Sequence, residues 1–179
     1  MKRVDTMVIE KVLLSSCFGS NPKLATDYGT TEVTLNVFGI TEGRELVDFL
    51  SWNPKKDIYK CYEIKVTMSD FHSDAKKSWY GNYNYLVISK ELYLEQTLDE
   101  WKCEVPSDVG IIVINLNTLK KETVKKASKR DISLEIRMML KDSLLRTLFY
   151  QNQNDNFYLR GDIIPVKAKD NDKKEESEE

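Results

Sequence analysis

Apolar side chains recur at Val4, Met7, Val8 and Val12, one stripe of a helix over residues 4–18. The run Gly19-Ser20-Asn21-Pro22 stops that helix. Residues 31–38 are β-branched and alternate in polarity, which predicts a strand. After a turn between Gly39 and Gly43, residues 46–52 and 58–67 form the second and third strands. Asn53-Pro54-Lys55-Lys56-Asp57 joins them as a hairpin turn. Ser69 is placed to cap a helix running to about Tyr80, with Phe71, Ala75 and Trp79 along one face.

Residues 84–89 and 109–116 are short apolar runs of buried-strand type. The Lys- and Arg-rich stretch 118–130 reads as a solvated hairpin or loop. Residues 131–150 carry the stripe of a long helix with Asp131 as its cap. This order mixes a strand meander with a helical crossover, so the expected fold is α/β, a mixed central β-sheet flanked by helices. One domain spans 1–165, and 166–179 form a disordered acidic tail by composition.

Composition adds limits. With 41% hydrophobic and 31% charged residues, the chain reads as a water-soluble globule able to fold without a staple. A formal net charge of −2 permits nucleic-acid binding without arguing for it, since dedicated readers are far more basic. Cys17, Cys61 and Cys103 are odd in number and form no CxxC pair, which points to reduced thiols in the cytoplasm rather than a disulfide frame or zinc site. Lys2, Arg3 and Asp5 are followed by no long apolar run, and no stretch approaches a membrane span, so neither a secretory signal nor a membrane partner is expected.

The chemistry sits on the hairpin. Along residues 58–67, Cys61, Glu63, Lys65 and Thr67 share one strand face, and Tyr62, Ile64 and Val66 share the apolar, core-facing one. A turn centred on Lys55–Lys56 sets Asp48 directly opposite Glu63. Two facing carboxylates repel unless a cation lies between them, and Asp48 is flanked by Leu46, Val47, Phe49 and Leu50. Two carboxylates with a strand-borne oxygen at Ile64 suit Mg²⁺ or Mn²⁺. Lys65 beside them could orient a water or offset developing negative charge, which is the chemistry of phosphodiester hydrolysis.

These residues, in this order, resemble the PD-(D/E)xK nuclease superfamily, and within it the MmcB-like DNA-repair family and related phage nuclease-like proteins. The carriers of the resemblance are Asp48, Glu63-Ile64-Lys65, Ser69-Asp70-Phe71, Lys76-Lys77, the strand 84–89 and the run Pro106-Ser107-Asp108-Val109-Gly110. It covers about residues 30–115, with Ser89-Lys90 standing where a Pro is usual. The resemblance implies a restriction-endonuclease-like core. Asp48 and Glu63 would bind the metal and Lys65 would be the catalytic lysine, with Glu10 from the first helix joining the site and Glu32 its rival. It also implies Mg²⁺ or Mn²⁺ as cofactor, DNA as substrate (RNA is not distinguished) and a homodimer. The setting would be DNA repair, recombination or phage DNA processing. The alternative is a non-catalytic DNA-binding or partner-docking module that keeps the fold.

Other residues carry plainer expectations. His72 suits a surface or capping role, and Cys61 suits packing. Lys76, Lys77 and the basic run are candidate phosphate contacts. Trp79, Tyr80, Tyr83 and Tyr85 at helical or strand spacing suit the core better than base stacking.

Overall fold

The hairpin forms in the expected register. In the computed structural model, β2 (Glu45–Asn53) and β3 (Ile58–Lys65) run antiparallel, pairing Asn53 with Ile58 through to Phe49 with Tyr62. The structure describes residues 2–18, 25–35, 45–73 and 78–155. The remaining elements are α1 (Val4–Ser16), β1 (Tyr28–Leu35), α2 (Met68–Phe71), β4 (Tyr83–Ser89), α3 (Lys90–Tyr93), α4 (Leu98–Glu104), β5 (Gly110–Ile114), β6 (Lys121–Lys125) and α5 (Leu134–Asp155). The expected turn at Gly39–Gly43, the helix stop at 19–22, Ala75, Lys76, Lys77 and the 166–179 tail lie outside the described residues.

The six strands lie in chain order in one mixed sheet. β1, β2 and β3 are antiparallel neighbours, β3, β4 and β5 are parallel, and β6 returns antiparallel at the edge. The two parallel connections carry α2 and then α3 and α4, as crossovers between parallel strands require. The basic stretch is thus half strand: Lys121–Lys125 pair with β5, and edge lysines of this kind discourage pairing with another sheet.

Both sheet faces are buried. On one face α1 lays Ile9 and Leu13 over Phe49, Tyr62, Ile64, Val87 and Ile112. On the other, α5 packs Met139, Leu140 and Leu144 over Val33, Val47, Leu50, Tyr59 and Cys61. A separate pack on that second face joins Phe71, Leu92 and Trp101 to Leu86, Ile88 and Ile111. The pairing of Glu63 with Leu86 and of Lys65 with Ile88 puts these four residues on one face. Glu63 and Lys65 therefore occupy the seam between the two apolar packs and belong to neither.

Three sequence expectations need correction. Thr67, not Ser69, caps α2, accepting from the Asp70 N–H. That helix ends at Phe71 rather than near Tyr80, because the Asp70 carbonyl is taken by the Ser73 N–H and hydroxyl. Trp79 and Tyr80 are outside any helix, on the approach to Gly81, which passes against β3. Asp131 does not cap α5; the Ser133 hydroxyl accepts from the Ile136 N–H, three residues on.

A Cβ at Gly81 would fall 2.8 Å from Tyr83 O, 2.9 Å from Cys61 N and 3.0 Å from Tyr59 O. Backbone on all sides cannot give way as a side chain would. Gly81→Ala is expected to destabilise by about 1–3 kcal/mol, read by urea denaturation. An unchanged midpoint would show that the β3–β4 crossover has room to relax.

Candidate active site

The site begins at an irregularity between β1 and β2. Their register runs Thr31 with Phe49 and then Val33 with Val47, skipping Glu32 and Asp48. Glu32 adopts a φ of 54°, a left-handed conformation that few non-glycine residues take. Val47 and Phe49, two apart on one strand, should share a face. Instead Val47 packs under α5 and Phe49 under α1. The strand therefore changes phase at Asp48, which frees its carboxylate from the normal alternation. Asp48 Oδ2 accepts the Ile64 N–H at 2.7 Å. The carboxylate thereby takes the place of a ladder bond just beyond the Phe49–Tyr62 pair.

Glu63 and Lys65 are each only 5% exposed. Lys65 Nζ lies 3.2 Å from Glu63 Oε1 and 3.3 Å from Asp70 Oδ1. Strand β3 supplies the first two side chains, and the short capped turn of α2 supplies the third. Burial pushes the Glu63 carboxyl up to about 7, and the nearby Asp48 charge adds to the rise that Lys65 opposes. Burial also raises the Asp48 carboxyl, against the Ile64 N–H and Lys65. For Lys65, burial works against the charge, but Glu63, Asp70 and Asp48 more than offset it and hold the ammonium protonated.

Glu10 of α1 is buried at the margin of this group. Burial raises its carboxyl, Lys2 opposes the rise, and the charges of Glu32 and Asp48 add to it. Lys2 binds Glu10 and, at 2.9 Å, Glu32. Both residues weighed as the additional carboxylate therefore share one ammonium. Sequence reading missed Lys2, since a cation ahead of a helix belongs to no periodic pattern.

His72 is exposed and meets Glu104 at 3.0 Å. Cys61 is fully buried under α5, its thiol pushed up to about 12 by burial, as a packing residue would be. Tyr85 stacks on Tyr62 and Trp79 packs beside the Phe71–Trp101 pack, so these aromatics serve the core. Cys17, Cys61 and Cys103 are all free thiols.

Among the described residues, no three His, Cys, Asp or Glu side chains gather closely enough to hold a metal ion by themselves. What the site offers is two carboxylates, Asp48 and Glu63, with the backbone of Ile64, next to Glu63 in sequence, bonded to Asp48. No described helix is long and apolar enough to cross a membrane.

No protein-family model matches the chain, and no curated protein matches it. Among solved structures, a protein of unknown function from Silicibacter pomeroyi is similar, with a TM-score of 0.54 at 17% identity over 78% of this chain and 86% of that one. That likeness concerns the fold: an α/β protein built on a mixed six-stranded sheet.

Proposed function

We propose that the protein is a divalent-metal-dependent deoxyribonuclease with a restriction-endonuclease-like core of the PD-(D/E)xK kind. The observation that carries this reading is the seam between the two apolar packs. There Asp48 and Glu63 crowd together on adjacent strands, with Lys65 held between Glu63 and Asp70. A fold has no structural need to bury two like charges beside an apolar core, and the cost is borne where function requires it.

The donors fit a hard cation. Mg²⁺ is commonly bound by one or two carboxylates, with waters and substrate phosphates completing its shell. Asp48 and Glu63 would supply the carboxylates and Ile64 a backbone oxygen. When bound, such an ion supplies Lewis acidity to a scissile phosphate and makes a water more acidic. Lys65 would offset the negative charge that builds on the phosphate oxygens, and Asp70 would keep the ammonium pointed there. DNA is the expected substrate, in repair, recombination or phage DNA processing.

One observation favours a second reading. Glu63, Asp70, Glu10 and Glu32 are each paired with an ammonium of the chain itself, Lys65 or Lys2. A site neutralised from within would also serve a non-catalytic DNA-binding or docking module. Calorimetric titration of Mn²⁺ into wild type and Asp48→Ala, followed by incubation of both with DNA and Mn²⁺, separates the two. The nuclease reading expects binding and cleavage by wild type and neither by the variant. Wild type that binds DNA yet cuts none with any divalent metal would establish the module instead.

A further inference from the structure

The outward face of α5 is apolar where it meets solvent. Leu134, Met138, Leu145 and Phe149 are 66%, 59%, 50% and 59% exposed. At 3.6 residues per turn they fall within about 60° of the helix circumference. They lie across the helix from Met139, Leu140 and Leu144, which are buried against the sheet. Scattered exposed hydrophobics are ordinary. Four in line, about 22 Å from end to end at 1.5 Å per residue, form a seam of the kind that pairs helices.

The charges beside the seam indicate what covers it. Arg137 and Lys141 border one flank, and Glu135 and Asp142, with Arg146 beside them, border the other. In two parallel copies of α5 related by a two-fold axis along their length, the first flank of each helix meets the second flank of the other. Lys141 then faces Asp142 of the second copy, and Arg137 faces its Glu135. An antiparallel pair would instead set Lys141 against Lys141 and Asp142 against Asp142, with Arg146 near Glu135. Arg137 already bonds Asp57, Lys141 lies 4.8 Å from the Trp52 ring, and Asp142 pairs with Arg146. The guanidinium and the ammonium nonetheless keep further donors for a second carboxylate.

We infer that α5 is the interface of a parallel homodimer, seated on Leu134, Met138, Leu145 and Phe149. A single helix pair is smaller than a standard interface, so the dimer forms in the micromolar range.

Sedimentation equilibrium of the full chain tests this. The expected result is a mass rising with concentration from the 20.8 kDa monomer toward twice that value, with Leu145→Glu weakening the association at least tenfold. Leu145 is exposed, so the variant should fold and its melting curve should be unchanged. Orientation is read by oxidative cross-linking in a Cys103→Ser background, since Cys17 and Cys61 are buried. Met138→Cys alone should form covalent dimers in the parallel pair. Cross-linking only in a mixture of Met138→Cys with Leu145→Cys would overturn the parallel arrangement. Wild type that stays monomeric to several hundred micromolar, or a dimer indifferent to Leu145→Glu, would overturn the interface. The seam would then be left to the chain's own residues beyond 155 or to another protein.

Discussion

Replacing Lys65 with methionine is expected to lower metal-dependent DNA cleavage by about 10²–10³-fold while Mn²⁺ still binds. The ammonium is not among the oxygen donors, so its loss leaves Asp48 and the Ile64 backbone in place. It does remove the one cation that β3 points into the seam, 3.2 Å from Glu63 and 3.3 Å from Asp70. Taking one partner from a buried ion pair also costs stability, on the order of 3–5 kcal/mol. Cleavage should therefore be compared well below the variant's melting midpoint. Asp70→Asn separates the chemical role from the positioning role. Glu63 would still hold the ammonium, so a drop of only about tenfold is expected, in kcat rather than KM. Equal loss of metal binding and cleavage in Lys65→Met would mean that Lys65 merely keeps the carboxylates in place.

The parts of this site visible in the sequence are those set by strand periodicity and turn length. Alternation placed Glu63 and Lys65 on one face, and the Lys55–Lys56 turn fixed a register that the structure keeps from Asn53–Ile58 to Phe49–Tyr62. The break came one step further on. Strict alternation makes Asp48 a ladder residue facing Glu63. The phase change at Asp48, matched by the left-handed Glu32 on β1, instead turns its carboxylate onto the Ile64 N–H. Nothing in the run of residues 46–52 announces that change, because both phases are mainly apolar: Leu46, Leu50 and Trp52 in one, Val47 and Phe49 in the other.

Short elements were the other loss. α3 and α4 are four and seven residues long, too short to show a stripe, yet each drives one large side chain, Leu92 or Trp101, into the core. Their signals were local: Ser89 caps α3, and Thr97 with Glu100 forms a capping box at α4. The helix expected through Trp79 was mistaken for a related reason. Apolar spacing at 71, 75 and 79 mimics a helical face, but the Ser73 N–H and hydroxyl take the Asp70 carbonyl and α2 ends at Phe71. Local side-chain bonding overrode apolar spacing there, as a change of strand phase overrode alternation at Asp48.

Under the proposed nuclease reading, the burial of Glu63 should make it a liability to the fold. Its carboxyl stands at about 7 against an ordinary value of 4.5, with burial the main cause and Asp48 the next. A group that holds its proton more tightly when folded stabilises the protein at low pH. That stability is lost as pH rises from about 4.5 through about 7. The gap corresponds to roughly 3 kcal/mol between the neutral and ionised side chain in the native state. Glu63→Gln fixes the neutral form at nearly the same size. The variant should therefore match wild type near pH 4.5 and exceed it by up to about 3 kcal/mol at pH 8, measured by urea denaturation at both values. It should also be inactive. Millimolar Mn²⁺ should narrow the difference at pH 8 by stabilising wild type alone, since only wild type keeps both carboxylates to bind it. Equal destabilisation of the variant at both pH values would assign Glu63 a different part, that of a structural partner to Lys65. A stability gain at pH 8 that Mn²⁺ narrows is the signature of a carboxylate retained for its chemistry at the expense of the fold.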